Sequence, residues 1–341
     1  MFFVWAGAAW AAEVTELPPP RSGVAGLRYT GAREAGGLEE AGERVADRVV
    51  SRHDLDLFAS FGLVPGLAAT LALDTTPSLH LAYAHTREMR LDPASGTGSY
   101  LAGEPAGQQV IRAGGLEGLW LGVAGAPVSR AAGERAVWRL DAAVRTPSAG
   151  RNLWTARNGH RGPAPGGAAV RLAAAFSTDR GAFAPWLRIA YDHELPVRID
   201  VVDEAGTTWA KDLRVAPART VTASAGSELV ALRSDDVRLV VDPSGSAGYR
   251  SWEDVASGVY LPNVLDGGRS VPVTRGDTVF AEAGVAVGVA VADRLKIRGG
   301  LAATYALPQR LEHLYAVRTT ADTVGVRGFL EVTGAAALPS R

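Results

Sequence analysis

Apolar and polar side chains alternate one by one along most of this 341-residue chain. Leu55, Leu57, Phe61 and Leu63 stand at odd positions, and mostly polar or small residues stand between them. A period of two is the pattern of a β-strand with one apolar face and one polar face. No comparably long stretch has the helical period, so the sequence predicts an all-β fold.

The alternation defines twelve predicted strands of about ten residues each. They cover residues 24–30, 53–64, 67–76, 116–127, 135–145, 168–177, 184–194, 218–231, 236–242, 278–291, 294–306 and 323–338. The segment 116–127 is apolar on both faces, so the pattern assigns Trp120 to neither face. Residues 79–84 also alternate, and they form either an extension of the preceding strand or a hairpin in the loop.

The lengths of the connectors indicate how these strands are joined. Short connectors at 65–66, 128–134, 178–183, 232–235 and 292–293 alternate without exception with long ones at 31–52, 77–115, 146–167, 195–217, 243–277 and 307–322. Outer-membrane barrels have short periplasmic turns, long outer loops and usually an even number of strands. The sequence therefore predicts a transmembrane antiparallel up-and-down β-barrel of about 12 strands, in which 24–30 makes the count even.

The composition agrees with such a barrel and excludes other classes. The chain has 35 basic and 36 acidic residues and a net charge of −1, which argues against a nucleic-acid-binding protein. It has no cysteine, which excludes disulfides and Cys-based metal sites. No run reaches ~18 consecutive apolar residues, so a helical membrane span is excluded. The mean hydropathy of +0.05 suits strands that are apolar on one face only.

The polar face of each strand is the predicted lining of the lumen. In a membrane barrel the apolar face contacts lipid and the alternate residues face the interior. The charged residues at these alternate positions are Asp54, Asp56, Arg139, Asp141, Arg145, Arg171, Arg188, Asp192, Glu282, Lys296, Arg298, Arg327 and Glu331. Both signs occur, so we expect an ion-paired lumen. These charges either brace the wall or line a pathway for a solute.

Five aromatic residues lie near the ends of predicted strands. They are Phe61, Trp138, Trp186, Tyr191 and Tyr305. Such positions are typical of the interfacial aromatic girdles of membrane barrels. The alternative interpretation is that they are ordinary lipid-facing residues.

The N-terminus reads as an export signal. Its apolar residues lead to an A-x-A cleavage pattern at Ala9, Trp10 and Ala11. We therefore predict a signal peptide at 1–12, a Pro-rich periplasmic segment at 13–22 and an outer-membrane barrel at 23–338. A buried N-terminal helix is the alternative for the first segment, and the prolines that follow disfavour it. The chain lacks the terminal aromatic residue of exported barrels, and Leu338 is the candidate in its place.

Three hairpin-like segments resemble those of a known family. Residues 57–73 read as a strand, a Gly-Leu, a short turn and a Leu-rich strand, and 115–147 and 170–194 repeat that rhythm. Together they are similar to the outer-membrane family labelled MetA-pathway of phenol degradation, which is distantly akin to fatty-acid transporter barrels. The resemblance covers 23–338 and implies passage or binding of small hydrophobic molecules.

No catalytic motif stands out in the chain. Its histidines are His53, His80, His85, His160, His193 and His313, and none lies in an H-E-x-x-H or H-x-H pattern. The spacing of His80 and His85 is only a weak metal signal. The sequence also has no nucleophile elbow and no phosphate-binding loop. We therefore expect no metal, no cofactor and no enzyme activity.

The predicted protein is a passive channel or binder of small, hydrophobic solutes in the bacterial outer membrane. Its expected partners are the lipid bilayer, lipopolysaccharide, the solute and the outer-membrane assembly machinery, but not nucleic acid. One alternative is a structural or loop-presenting barrel without transport. A less favoured alternative is an outer-membrane lipid hydrolase.

Overall fold

Strands make up almost the whole of the described chain. The structure is a computed structural model, and it describes residues 17–85, 88–91, 98–101, 108–128, 136–147, 152–154, 167–178, 181–202, 208–234, 236–263, 269–292, 294–313 and 316–337. No helix among these residues is long and apolar enough to cross a membrane.

The described residues form 21 strands. In chain order they are β1 (Ser22–Glu40), β2 (Glu43–Val64), β3 (Leu67–His85), β4 (Glu88–Leu91), β5 (Gly98–Leu101), β6 (Gln108–Val128), β7 (Ala136–Arg145), β8 (Asn152–Trp154), β9 (Ala169–Thr178), β10 (Phe183–Glu194), β11 (Val197–Val202), β12 (Thr208–Val215), β13 (Arg219–Arg233), β14 (Val237–Arg250), β15 (Glu253–Asn263), β16 (Arg269–Arg275), β17 (Thr278–Val291), β18 (Leu295–Ala306), β19 (Arg310–His313), β20 (Ala316–Thr320) and β21 (Thr323–Ala337).

Twelve of these strands close into a barrel. Their order around the ring is β1, β2, β3, β6, β7, β9, β10, β13, β14, β17, β18 and β21. The last strand pairs with the first, from Ser22 opposite Ala337 to Ala35 opposite Val324. Every neighbouring pair in the ring is antiparallel. The all-β fold and the twelve-stranded up-and-down barrel predicted from the sequence are confirmed.

Each predicted strand corresponds to one strand of the ring. The predicted boundaries differ from the observed ones mainly at one end of each strand. The connector 65–66 is the tight turn that its length predicts. Gly66 lies at φ +75°, a left-handed conformation that glycine adopts without steric cost. An added Cβ there would also lie 2.9 Å from the carbonyl oxygen of Ala126.

Several predicted outer loops are instead continuations of strands. β1 and β2 stay paired as far as Glu40 opposite Glu43, so the predicted loop 31–52 is wrong. β3 runs on to His85, which confirms the extension interpretation of 79–84. These extensions carry buried apolar side chains of their own, among them Leu38, Val50 and Leu81. Interspersed glycines and charges hide their period in the sequence.

Further strands lie at this outer end. β15, β16, β19 and β20 extend the sheet and join β1 where Leu38 lies opposite Thr320. β8, β11 and β12 form a separate three-stranded sheet, and β4 pairs with β5. The outer end is therefore far more built up than the turn end.

A β-bulge interrupts the pairing of β3 and β6. The register shifts between Asp74 and Thr75 and again between Thr76 and Leu79. Pro77 lies inside the second shift, where a proline without an N–H cannot continue the ladder. Because of the shift, both Thr76 and Leu79 are buried, whereas strict alternation would separate them.

Residues before β1 lie across the turn end of β2. The N–H of Arg21 donates to the carbonyl of Gly62 at 3.0 Å, and Pro20 bridges to the same residue. An added Cβ at Gly62 would lie 2.2 Å from the carbonyl oxygen of Pro19, so only glycine fits this approach. The predicted signal peptide 1–12 lies outside the described residues, and the periplasmic placement of 13–22 stays a prediction.

Candidate functional site in the barrel lumen

The two faces of the barrel wall differ sharply in chemistry. The outward face carries large apolar side chains that are 40–54% exposed. They include Leu27, Leu57, Leu71, Leu121, Leu140, Leu172, Ile189, Val221, Val287, Ile297 and Leu330. The alternate positions, on the enclosed face, carry small, hydroxyl and charged residues that are buried or half-buried.

The structure places all thirteen charged residues singled out above on this enclosed face. Asp192, Arg298, Arg327 and Glu331 are buried. The others are half-buried, namely Asp54, Asp56, Arg139, Asp141, Arg145, Arg171, Arg188, Glu282 and Lys296. Directly paired residues share a face of a sheet, and the registers agree with this placement: Asp56 lies opposite Asp74, and Arg298 opposite Glu331.

One half of the ring holds a closely packed ionic core. Here Arg298 donates to Oδ2 of Asp242 at 2.6 Å, and both side chains are only 2% exposed. Arg327 pairs with Glu282 at 2.7 Å nearby. The strands are β13, β14, β17, β18 and β21. We call the enclosed residues Asp242, Glu282, Arg298 and Arg327, together with Trp186 on the adjoining β10, the sealed arc.

Trp186 corrects one prediction from the sequence. Its indole N–H donates to Oδ1 of Asp242 at 3.3 Å, and the side chain is buried inside the barrel rather than in an outward girdle. The other four aromatic residues lie on the outward face, where Phe61, Trp138 and Tyr305 are exposed. Tyr191 pairs with outward Leu172 and Val221. The proximity of Trp186 to the strand end is misleading because side-chain parity, not position along the strand, decides the face.

The other half of the ring has accessible ion pairs. Arg139 pairs with Asp141 at 2.7 Å, and both side chains are 18% exposed. Arg52 contacts Asp54 at 2.5 Å and Glu117 at 2.6 Å. The strands are β2, β3, β6, β7, β9 and β10. We call the enclosed residues Arg52, Asp54, Asp56, Asp74, Glu117, Trp120, Arg139, Asp141, Arg145, Arg171, Arg188 and Asp192 the open arc.

Trp120 joins the acidic and basic parts of the open arc. Its indole N–H donates to Oδ2 of Asp74 at 2.8 Å, which places on the enclosed face a residue that the sequence assigned to neither. The guanidinium groups of Arg171 and Arg145 lie 4.3 and 5.5 Å from its ring centroid. Such cation–π contacts hold both cations without neutralising them.

Two charges of the open arc stand apart from this network. Within the described residues, neither Asp56 nor Arg188 makes a hydrogen bond or an ion pair. Asp56 is on β2 and Arg188 on β10, five strands apart in a ring of twelve, so they lie on nearly opposite walls. Asp56 interacts electrostatically with Arg28, and Arg188 with Asp141 and Asp192, so both charges are compensated without direct contact.

A third ionic cluster lies at the outer end, beyond the sealed arc. Arg250 and Arg275 both donate to Oε2 of Glu253, at 2.9 and 2.5 Å. Burial acts to raise the pKa of Glu253, but the two arginines prevail and hold it below its ordinary value. Burial, with Arg250 close by, lowers the pKa of Arg275 to about 10.

Sequence reasoning missed several enclosed charges. Asp74 and Asp242 stand at alternate positions in predicted strands, so their parity could have identified them. Arg52 fell in a predicted loop. The register shift between Asp74 and Thr75 skips Glu117 on β6, which brings Glu117 to the enclosed face against simple alternation. Among the described residues, no group of three or more His, Asp and Glu side chains suits a metal ion.

No known protein family and no curated protein matches this sequence. Solved structures of other barrels are similar in outline. The COG4313 outer membrane channel from Pseudomonas putida F1 is 11% identical, with a TM-score of 0.46 over 94% of this chain and 98% of that one. A Pseudomonas aeruginosa FadL homologue is 8% identical, with a TM-score of 0.40 over 93% and 90%. The TodX monoaromatic hydrocarbon channel is 8% identical, with a TM-score of 0.41 over 96% and 93%. At such identities no residue role carries over to this chain.

Proposed function

We propose that this chain is an integral barrel of the bacterial outer membrane and a passive channel for small solutes. The observation that carries this proposal is the apolar outward face of a closed barrel whose enclosed face is polar. Soluble proteins rarely expose contiguous apolar patches above a few hundred Å². Immersion in lipid removes that exposure, whereas a Lys or Arg on such a face would cost about 2–4 kcal/mol at mid-depth.

The open arc is the proposed route for the solute. Most of its charged side chains keep accessible surface, and small residues such as Ala173 lie between them. The resemblance seen in the sequence implies small hydrophobic solutes. The alanine side chains of the enclosed face would offer such a solute contact, and the flanking charges would exclude larger hydrated ions.

A blocked open arc tests this function. In Ala173→Trp a bulky ring replaces a buried methyl between Arg171 and Ala175, and we expect loss of single-channel conductance in planar bilayers and of whole-cell uptake of a labelled monoaromatic solute. The matched control is Leu172→Trp, one residue away on the outward face, which should conduct like the parent. Ala173→Leu guards against misfolding as the cause, since it should reduce conductance only in part. Equal conductance in all variants contradicts the proposal.

The second candidate is a structural or loop-presenting barrel without transport. The observation that favours it is the extended outer end, where β15, β16, β19 and β20 add to the wall and the sealed arc fills half of the ring. The same experiment separates the two functions. A parent protein that does not conduct, and does not change uptake, supports the structural role.

A further inference from the structure

Basic and hydroxyl side chains lie together on the outward face, just beyond the exposed apolar side chains described above, which we call the apolar belt. In the registers of β1, β2 and β3, Arg33 lies opposite Ser51, and Ser51 opposite His80. One row closer to the belt, His53 lies opposite Ser78. We call Arg33, Ser51, His53, Ser78 and His80 the outer basic patch.

Two side chains of the patch have hydrogen-bonding groups that no described residue contacts. Arg33 and His80 are exposed, and within the described residues neither side chain makes a hydrogen bond or an ion pair. The described outward positions of these three strands carry no carboxylate from the row of Tyr29 to the row of Ser51. The next outward acid, Asp47, lies four residues farther along β2 and already pairs with Arg44 at 2.7 Å. The described outward residues of β1, β2 and β3 therefore do not neutralise the positive charge of the patch.

Tyr29 ties the patch to the apolar belt. Its hydroxyl and Nδ1 of His53 are 2.5 Å apart, and the two rings stack with centroids 5.9 Å apart. Toward the turn end, the same face continues as Leu27, Leu57 and Leu71. An aromatic ring with one polar edge is typical of the boundary between lipid and water. The patch thus lies where the headgroups of the outer leaflet begin.

The same three residue types occur together, in a different register, on the far side of the barrel. Tyr191 stacks on His193 with centroids 6.2 Å apart, and His193 lies opposite Arg219 in the register of β10 and β13. Arg219 is exposed, as Arg33 is. Two Tyr-His-Arg sets at the outer end, on well-separated strands, indicate a common environment rather than a local accident of packing.

We propose that the outer basic patch binds the lipid A phosphates of lipopolysaccharide in the outer leaflet. The inference rests on the proposed placement in the outer membrane. A guanidinium group matches the geometry of a phosphate with two parallel hydrogen bonds, and imidazole and hydroxyl groups supply further donors. Three strands about 4.8 Å apart make the patch about 10 Å wide, enough for one phosphate group with its sugar. Tyr29 and the leucines contact the acyl chains of the same lipid.

The test compares ligands that differ only in phosphate or lipid. Binding to the purified barrel in detergent is measured by native mass spectrometry with lipopolysaccharide, with the same lipid after enzymatic removal of its phosphates, and with inorganic phosphate. We expect Arg33→Gln with His80→Gln to weaken binding of lipopolysaccharide at least about tenfold, the loss of one charge-assisted contact. The matched control, Arg44→Gln, should bind like the parent.

Three outcomes overturn the proposal. They are equal binding of the dephosphorylated lipid, equal binding by the double variant, and full competition by millimolar inorganic phosphate, which would mean that the lipid contributes nothing. Conductance of the double variant separates this proposal from the channel. A double variant that conducts like the parent but binds lipopolysaccharide unchanged refutes the patch alone. If the parent does not conduct, and the double variant binds lipopolysaccharide more weakly than the parent, the channel alone is refuted.

Discussion

The sealed arc and the open arc contain the same residue types but place them in opposite environments. In the sealed arc, Asp242 receives hydrogen bonds from Arg298 and Trp186, and its ion pair is shielded from water. In the open arc, Arg139 and Asp141 form an equally short pair that water reaches. A buried pair is costly to break, whereas an accessible pair contributes little to stability. The difference teaches that one half of the wall has the buried contacts that stabilise a barrel, whereas the other half has the accessible surface that the proposed route requires.

The largest effect is expected in the centre of the sealed arc. Asp242→Ala leaves Arg298 buried without its carboxylate, and we expect a loss of about 3–5 kcal/mol in the free energy of unfolding. Denaturant unfolding in detergent micelles measures this loss. Adding Arg298→Leu to the same chain removes the buried guanidinium group and should recover most of the stability. A single variant as stable as the parent would show that this arc does not hold the barrel.

Two tryptophans give the next largest contrast. Trp186→Phe keeps the ring in the sealed arc but removes its N–H from Asp242, so we expect a loss of about 1–3 kcal/mol. Trp138→Phe, on the outward face, should stay within about 0.5 kcal/mol of the parent. Brominated lipids provide a second readout. They should quench Trp138 and leave Trp186 unaffected, and the reverse result would invert the assignment of faces.

The twelve strands could be read from the sequence because the wall is one residue thick. Each strand of the ring has an outward face and an enclosed face, so every second residue reports its face. That parity placed Arg171 and Asp192 on the enclosed face, and the structure joins them at 2.5 Å. The strands beyond the barrel were missed because interspersed glycine, proline and charged residues hide the alternation in their sequences.

The division into two arcs could not be predicted. Parity gives the face of a residue but not its height, which depends on the stagger between neighbouring strands. Asp242 and Arg298 are 56 residues apart in sequence and lie on strands separated by β17. The bulge at Pro77 changes parity in mid-strand, and sequence periodicity cannot show where a ladder slips.

In the open arc we expect a substitution to change stability less than in the sealed arc, and to change transport as well. Arg139→Leu breaks the pair with Asp141 where water can solvate the remaining carboxylate, so we expect a loss of about 1 kcal/mol or less. Removal of a long side chain from the proposed route should raise single-channel conductance and shift ion selectivity toward cations. Arg327→Leu is the matched change in the sealed arc, and it should lower stability more and leave conductance unchanged. Equal conductance changes in both variants would erase the distinction between the arcs.

The last effect concerns the pH dependence of stability at Glu253, beyond the sealed arc. Its pKa is depressed in the folded barrel by Arg250 and Arg275, so folding favours the ionised form. The stability this gives is fully present above the ordinary pKa of 4.5 and is lost as pH falls through the lower folded value. Glu253→Gln should therefore have a flatter stability profile below that pH in denaturant titrations. Glu312→Gln, which breaks an exposed pair with Arg310, is the control and should follow the parent. If the stability of the parent falls no more steeply with acid than the stability of Glu253→Gln, the cluster of Arg250, Glu253 and Arg275 does not stabilise the barrel.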